Sequence, residues 1–376
     1  MRIFQIQTGA QHGGVTESAE PQGLAQDFLP AQGFVWVSCT RREFEAHLAD
    51  IQAALTRWCG MPLVDLHVSD LLNRQIPSHF DYTSDYDVLL FRRLAASAGT
   101  APELPVPRKA ATPARSGPPI LHRIDTSPIG FAVLDRVLLS VHPSDCTERD
   151  HYAARLMQSA QNDARNASAR LPSSPADLML RIVNQIVDGY LALRKDLTQQ
   201  LDHWQDELLS PRTRFNNWSA LLEARLALHQ LDEICEEQRS SIQDWIESLK
   251  TWPQATHPEA ARAHDLLNVR SRDVLEHIER VVHHVRRLEQ NVETAVQMHF
   301  SVQSNRTNDI MRTLTALTAI FLPLNLIAGI FGMNFEFIPL LHVHSGFWWA
   351  MGSMALIAVA LVLLFWRKRY LARTSR

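Results

Sequence analysis

The chain has 376 residues, a hydrophobic content of 46% and a formal net charge of −3. This length allows about two domains, and the near-neutral charge excludes the strong basic excess that is typical of nucleic-acid-binding proteins. The four cysteines form no CxxC pair, as expected for reduced cytosolic thiols.

Residues 1–171 are predicted to form an α/β domain. Four short apolar runs bounded by Gly, Pro, Ser or Asp are typical of strands: residues 34–39, 86–94, 120–127 and 131–142. A helical stretch, residues 42–58, lies between the first two runs. Residues 99–119 contain six prolines and many small side chains, so we predict an extended or disordered surface loop there and assign it no function.

Helical periodicity begins after residue 171. Residues 172–257 are predicted to form two helices, the first ending at Pro211 and the second covering about residues 212–250. From residue 259 to residue 322 the chain contains neither Gly nor Pro, which predicts one helix of about 95 Å. Pro258 suits the first turn of this helix. An apolar stripe with spacings of three and four residues indicates that the helix packs against other copies in a ring: Val274, Ile278, Val281, Val285, Leu288, Val292 and Ala295.

Two uncharged segments near the end of the chain are each long enough to cross a membrane. Residues 313–335 and 337–366 are interrupted only by Glu336, and about 20 apolar residues span the hydrocarbon core as a helix. We therefore predict a soluble part followed by a first span at 313–333, an external loop at 335–346, and a second span at 347–366.

The distribution of Lys and Arg predicts the orientation of these spans. The loop between them contains neither residue type, whereas the tail, residues 367–376, begins with Arg367, Lys368 and Arg369. Because basic residues concentrate on the cytoplasmic side, both ends of the chain are predicted to be cytoplasmic. The first residues show no basic-then-apolar secretory signal.

Polar side chains recur along one face of the first span. Thr318 and Asn325 lie seven residues apart, so they share a helix face, and polar groups in hydrocarbon are costly unless they face protein or water. Two interpretations remain open: the face lines a water-filled lumen, or the polar groups hold neighbouring helices together. The same face contains Met311, Leu314, Leu322, Gly329 and Gly332.

A lumen of this composition has no fixed negative charge. Neutral oxygen donors suit a hard cation that keeps its water shell, and Mg²⁺ loses water reluctantly. A ring of Asn334 amides could accept hydrogen bonds from such a hydrated ion, whereas bare Zn²⁺ or Cu²⁺ would favour Cys, His or carboxylate ligands. The sequence lacks the GxxxxGK[ST] motif of a phosphate-binding loop, so we expect the membrane potential rather than ATP to drive transport.

Residues 304–339, which include the tripeptide Gly332-Met333-Asn334, resemble the CorA family of magnesium transporters, and weaker likeness extends through most of the chain. The resemblance implies an α+β membrane protein with a cytosolic α/β domain, two antiparallel helices at 172–257, and a stalk helix at 258–334 that runs into the first span. It also implies a funnel-shaped homopentamer in the cell inner membrane.

The resemblance further implies a selectivity filter at Gly332, Met333 and Asn334, with Asn334 as the outer selectivity residue. Thr318 and Asn325 are placed in the pore by their spacing. The remaining pore-lining and gate residues follow from the motif match: Asn308, Met311, Leu314, Leu322 and Gly329.

In this family, cytosolic Mg²⁺ bound between subunits holds the gate shut, and the resemblance assigns that role to Asp70 and Asp273. Without Mg²⁺ the facing carboxylates would repel each other and let the subunits separate. Each residue alone has an ordinary alternative: a helix N-cap for Asp70 and a solvent-exposed helix face for Asp273.

The chain lacks an acidic residue at three places where the family pattern has one. Ser69 replaces one acid of the regulatory pair, and Gln297 replaces an acid near the cytosolic pore mouth. Residues 338–341 of the external loop also lack the usual acid. Glu336 remains in the loop, together with His342 and His344. The two histidines either share a metal ion or form an ordinary interfacial pair.

We predict transport of divalent cations, with Mg²⁺ as the first choice and cytosolic Mg²⁺ as the gating ligand. The alternative within the same superfamily is a ZntB-like Zn²⁺ transporter, or a Co²⁺ or Ni²⁺ carrier. A different class is a membrane-anchored structural or signalling protein that uses its spans only as a tether. We predict no enzyme activity and no resident cofactor, because the soluble half shows no nucleophile–base grouping and no cluster of metal ligands.

Overall fold

A computed structural model of the chain describes residues 1–8, 14–18, 24, 28–96, 124–145, 147–161, 171–209, 218–252, 258–333 and 345–367. The chain divides into two compact units, Met1–Glu293 and Thr294–Arg376. The proline-rich segment 99–119, residues 334–344 and the tail after Arg367 lie outside the described residues. The interpretations of those segments therefore remain predictions.

The first unit contains a seven-stranded sheet and a separate two-stranded sheet. In the larger sheet the strand order is β2-β1-β3-β9-β8-β5-β4, and the β6-β7 pair forms the smaller one. Strands β3 and β9 are parallel, and all other neighbours are antiparallel. The strands are β1 (Arg2–Gln7), β2 (Gly14–Ser18), β3 (Gly33–Thr40), β4 (His79–Tyr82), β5 (Asp87–Arg92), β6 (Ala95–Ala96), β7 (Ile124–Asp125), β8 (Pro128–Val133) and β9 (Val137–His142).

The helices of the described chain are short between the early strands and long after the sheet is complete. Their bounds are α1 (Arg41–Ala46), α2 (Leu48–Cys59), α3 (Asp65–Leu72), α4 (Thr147–Gln161), α5 (Pro175–Leu209), α6 (Trp218–Thr251), α7 (Pro258–Phe331) and α8 (Gly346–Arg367). Helices α1, α2 and α3 pack on the sheet, as do α5 and α6.

Alternation along β3 places apolar side chains on both faces of the sheet. Val35, Val37 and Cys39 belong to the buried cluster that also contains residues of α1, α2 and α3. The intervening Trp36 points to the opposite face, where its ring centroid lies 6.0 Å from that of Tyr152 in α4. Strands β8 and β9 are buried along their whole length, as expected for strands that helices cover on both faces.

The predicted strands are confirmed in part. Residues 34–39 and 86–94 correspond to β3 and β5, whereas residues 131–142 form two strands, β8 and β9, instead of one. The backbone N–H of Leu134 donates to the Val137 carbonyl at 2.9 Å and closes the turn between them. Within residues 120–127 only β7 is a described strand, and β1, β2 and β4 have no counterpart among the predicted strands.

The predicted helix at 42–58 is two helices, α1 and α2, separated at His47. A capping box begins α1: the Thr40 hydroxyl accepts from the Glu43 N–H at 3.2 Å, and the Glu43 carboxylate accepts from the Thr40 N–H at 2.8 Å. The two helices predicted within residues 172–257 correspond to α5 and to α6, whose described part begins at Trp218.

The long helix is confirmed as α7, which begins at Pro258 and continues through Pro323 to Phe331. The seven residues of its apolar stripe are at most 8% exposed in the single chain. Our prediction that other copies cover this stripe is therefore wrong, because helices of the same chain cover it. The stripe by itself is no evidence for a ring.

Polar contacts show how α5 and α6 lie along α7. The Trp245 indole N–H of α6 donates to the Ser271 hydroxyl at 2.9 Å, and the Arg286 guanidinium pairs with Asp232 of α6 at 3.0 Å. On the α5 side, His284 Nε2 lies 3.4 Å from the Thr198 hydroxyl. Burial, with smaller contributions from nearby arginines, lowers the pKa of the His284 imidazole to about 4, so this contact holds a neutral side chain at neutral pH.

Replacement of Ile278 by alanine is expected to lower the free energy of unfolding by about 2–5 kcal/mol, because this side chain is fully buried in the stripe and its loss leaves a cavity. Denaturant unfolding of the full chain in detergent measures the effect. Val269→Ala on the same helix is the control, since Val269 is 63% exposed, and its expected change is within about 0.5 kcal/mol. If the two substitutions lowered the free energy of unfolding equally, the conclusion that helices of the same chain cover the stripe would be contradicted.

Candidate functional site

The described pore candidates lie on the exposed side of the last part of α7. Asn308, Thr318, Asn325 and Gly329 are exposed in the single chain. The apolar candidates on this side are also exposed, with Leu322 at 70%. The exposed apolar candidates are Met311, Leu314, Leu322 and Met333. The described part of the same chain therefore does not cover the face that contains the pore candidates.

From residue 316 onward, the opposite side of α7 is covered. Ala316 is 1% exposed, and a half-buried row continues from it through Ile320, Pro323, Ile327 and Phe331. With about 100° between successive residues, this row lies roughly 180° from Thr318 and Asn325.

Helix α8 carries a matching row at three- and four-residue spacing. It is half-buried at Ala350, Met354, Ile357, Leu361 and Phe365. Because α8 is the other described helix of this unit, we attribute the cover of the α7 row to it. Helix α7 thus presents its polar face away from the helix that packs on it.

The Thr318 hydroxyl is oriented by its own helix. It donates to the Leu314 carbonyl at 2.9 Å, a bond from a residue to the preceding turn. Since the single hydroxyl proton is used in this way, the oxygen faces outward as an acceptor only. An outward acceptor suits the positively polarised hydrogens of water around a cation.

Helix α7 ends at Phe331, directly before the tripeptide. The Gly332 N–H donates to the Ala328 carbonyl at 2.9 Å, and the Met333 N–H donates to the Ile330 carbonyl at 3.3 Å. A Cβ at position 332 would lie 3.1 Å from the Ala328 carbonyl oxygen, so glycine permits this close final turn. Asn334, Glu336, His342 and His344 lie outside the described residues.

Asp70 lies in the last turn of α3, whose N-cap is Val64. The N-cap alternative for Asp70 is therefore wrong. The helix sits close on the sheet because β8 has a glycine beneath it: a Cβ on Gly130 would come 2.3 Å from a methyl group of Leu71. With Leu71 turned into the core, the neighbouring Asp70 is left half-buried at the outer side of the helix.

Asp273 lies on α7 with its side chain 59% exposed, and its carboxylate is 3.9 Å from His277 Nε2. Its exposure agrees with the ordinary interpretation of a solvent-facing residue. The described contacts include none between Asp70 and Asp273, and among the described residues no group of three or more His, Cys, Asp or Glu side chains is arranged to hold a metal ion. The single chain therefore does not bring the two candidate regulatory carboxylates together.

Sequence reasoning missed one feature beside Asp273. Arginines from three separate helices converge on a cavity that Asp273 also lines: Arg155, Arg181 and Arg270. The residues are far apart in the sequence and follow no shared motif, so only their arrangement in the fold could have revealed them.

Fold and candidate site together define a class: a protein with a large α/β unit and, among its described residues, two helices long and apolar enough to cross a membrane. The chain belongs to the CorA-like Mg²⁺ transporter family, because the family model described as "CorA-like Mg2+ transporter protein" matches residues 31–369. This confirms the predicted family, which is a family of transporters rather than enzymes.

Individual relatives agree with this assignment. The chain is 29% identical over 198 residues to the cobalt/magnesium transport protein CorA of Thermotoga maritima, a match that covers 52% of each protein. It is 34% identical over 101 residues to the magnesium transport protein CorA of Haemophilus influenzae, covering 27% of this chain and 32% of that protein. The matched regions thus span about half or less of the length of these relatives.

The complete structure of the CorA magnesium transporter from Methanocaldococcus jannaschii has the same fold. It superposes with a TM-score of 0.64 over 97% of both chains, at 16% sequence identity. The predicted α/β domain, long helix and two apolar helices are confirmed by this likeness together with the element order.

Proposed function

We propose that this protein conducts divalent metal cations across the cell inner membrane, with Mg²⁺ as the preferred ion. One observation carries the proposal: the face of α7 that contains Thr318 and Asn325 is left open, while the opposite face is covered. Relatives named as magnesium and as cobalt/magnesium transport proteins support the choice of ion class.

Several copies are needed to enclose the path. One chain supplies one polar face of α7, and apolar side chains on its other exposed positions, such as Phe321 and Leu326, are suited to lipid or to neighbouring copies. A symmetric closed ring satisfies both requirements. We set the number of copies at five from the family resemblance, with the Thr318 and Asn325 faces inward and Asn334 at the outer rim.

The described path offers neutral oxygen and apolar side chains, so it suits an ion that keeps its water shell. A divalent cation that enters an inside-negative cell gains about 4.6 kcal/mol per 100 mV, twice the value for one charge. This corresponds to roughly a thousandfold accumulation or more. The membrane potential is therefore a sufficient driving force for uptake.

We further propose that cytosolic Mg²⁺ closes the path by bridging Asp70 of one copy and Asp273 of the next. Both side chains lie on the surface of the first unit, and neither meets the other within its own chain. Such a bridge would favour the state in which the copies are close together.

Asp273→Asn is expected to raise the Mg²⁺ concentration needed to close the path by about fivefold or more, because the bridge loses one of its charges. The measurement is the current through a planar bilayer while Mg²⁺ is added on the side where the first unit lies. The Mg²⁺ concentration that halves the current is compared between variants. Glu276→Gln is the matched control, since Glu276 is exposed on the same helix one turn away. Equal inhibition curves for Asp273→Asn and the parent protein would contradict the proposed bridge.

Side-by-side uptake of Mg²⁺, Co²⁺ and Zn²⁺ into vesicles containing the purified chain tests the choice of ion. At a fixed inside-negative potential, Mg²⁺ is expected to enter fastest. Entry of Zn²⁺ without Mg²⁺ would instead support the Zn²⁺ alternative, in which His342 and His344 gather the ion. A tether would admit none of the three ions.

A further inference from the structure

A cavity of about 250 Å³ lies between α4, α5 and α7 in the first unit. Each of the three helices contributes one arginine to its lining: Arg155 from α4, Arg181 from α5 and Arg270 from α7. The proposed conduction path does not use this cavity.

The arginines carry more positive charge than their buried partner offsets. Asp177, whose side chain is 1% exposed, is shared by Arg181, at 3.3 Å, and by Arg270. Arg155 is exposed, and its guanidinium lies over the Tyr152 ring at 5.0 Å from the ring centroid. Asp177 thus pairs with two of the three guanidinium groups. Planar guanidinium groups have several N–H donors, which match the oxygens of a phosphate.

The cavity also has oxygen ligands that suit a cation. Asp273 contributes a carboxylate to the lining. Asn184 contributes its amide, whose Nδ2 donates to Asp188 Oδ2 at 3.3 Å. The amide Oδ1 is buried with no hydrogen-bond partner in the described structure, so a rotation of the side chain would bring it to a ligand in the cavity. An unsatisfied buried acceptor calls for a donor or a cation.

The arginines on one hand, and Asp273 with Asn184 on the other, favour an anion bound together with a cation over either ion alone. A bare anion would be repelled by Asp273, and a bare cation would find one carboxylate and one amide beside three arginines. Mg²⁺ in proteins is usually bound through one or two carboxylates together with the phosphate oxygens of a ligand. A divalent cation between Asp273 and the phosphate would turn the repulsion into attraction.

We propose that this cavity binds a phosphate-class anion together with a divalent cation. The arginines receive the phosphate oxygens, and Asp273 and Asn184 hold the cation, directly or through its water. A volume of about 250 Å³ is suited to an inorganic phosphate or pyrophosphate rather than to a bulky ligand. The regulatory consequence rests on the proposed function: since Asp273 is also the candidate gating residue, phosphate-bound Mg²⁺ would compete with free Mg²⁺ for it.

Calorimetric titration of the full chain in detergent with pyrophosphate tests the proposal, with the same Mg²⁺ concentration in both solutions. Pyrophosphate is expected to bind at least about tenfold more tightly with Mg²⁺ than without it, which corresponds to one favourable ionic contact. Arg155→Gln is expected to weaken this binding by about tenfold or more. Arg280→Gln removes the same charge from an exposed site on α7 and is expected to bind as the parent protein does.

Asp273→Asn provides a second, independent readout, since it is expected to remove the Mg²⁺ dependence of pyrophosphate binding. Absence of binding in the presence of Mg²⁺, or equal affinities of Arg155→Gln and Arg280→Gln, would overturn the proposal. Binding that is indifferent to Mg²⁺ in the parent protein would overturn its cation half. Ion uptake is measured separately in vesicles, so a chain that conducts Mg²⁺ but binds no pyrophosphate would refute this inference and leave the proposed function intact.

Discussion

Replacement of Asn334 by alanine is expected to lower Mg²⁺ uptake into vesicles by about tenfold or more. A ring of Asn334 amide oxygens is proposed to accept hydrogen bonds from the water shell of the entering ion. Hydrogen bonds to charged partners contribute about 1.5–3 kcal/mol each, and about 1.4 kcal/mol is a factor of ten. The initial rate of uptake, read by a Mg²⁺-sensitive dye inside vesicles at a fixed inside-negative potential, measures the effect.

Leu356→Ala is a suitable control for this measurement. Leu356 is an exposed residue of α8 and lies outside the row that matches α7. Shortening its side chain therefore tests for effects on membrane insertion without altering the proposed conduction path. Its uptake rate is expected to equal that of the parent protein. If Asn334→Ala retained the parent rate and ion preference, the amide rim would have no role in conduction, as the tether interpretation predicts.

Asn325→Leu is expected to lower Mg²⁺ uptake by about tenfold while leaving the oligomer intact. The change removes an amide from the open face of α7 and makes the path apolar at that depth, where an apolar constriction resists wetting. The loss of one charge-assisted contact accounts for an effect of this size. Uptake in vesicles and chemical cross-linking of the same preparation are measured together.

The cross-linking result separates the two interpretations of this polar face. If Asn325 holds helices together, its replacement reduces the cross-linked oligomer as much as it reduces uptake. Leu356→Ala again serves as the control, because Leu356 is an exposed residue of α8 outside the row that matches α7. A fall in uptake that is matched by loss of the oligomer would contradict a lining role for Asn325.

The elements of the fold that the sequence predicts best are those whose pattern is local. The proline at position 258 marks the start of α7, and the uncharged segments after residue 312 correspond to the end of α7 and to α8. The sequence predicts a single apolar run at 131–142, because Asp135-Arg136 interrupts the two strands by only a short turn. Strand β1 depends on pairing with β3, a partner some 30 residues away, which no local pattern reveals.

The apolar stripe of α7 shows a different limit. Its spacing correctly predicts a buried face, but periodicity does not say which helix covers that face. Helices α5 and α6 of the same chain do so, through contacts such as that between Trp245 and Ser271. The stripe therefore gives no support to association between copies.

Some features of the candidate site follow from local sequence patterns, and others depend on how distant helices pack. The face with Thr318 and Asn325 could be predicted, because a polar residue every seventh position in an apolar helix is a local signal. The cover on the opposite face could not, since it depends on the packing of α8. The arginine cavity beside Asp273 could not be predicted either, because α4, α5 and α7 meet there only after folding.

The most direct test of a wet lumen is the reactivity of single cysteines toward a water-soluble cationic thiol reagent, in a chain whose four native cysteines are replaced by alanine. A cysteine at Thr318 is expected to react in vesicles and to block Mg²⁺ uptake once modified. A cysteine at Ile327, on the covered face, is expected to stay unmodified and conduct. Reaction at Ile327 with none at Thr318, or contact of the Thr318 position with lipid, would contradict the central claim that this face of α7 encloses water.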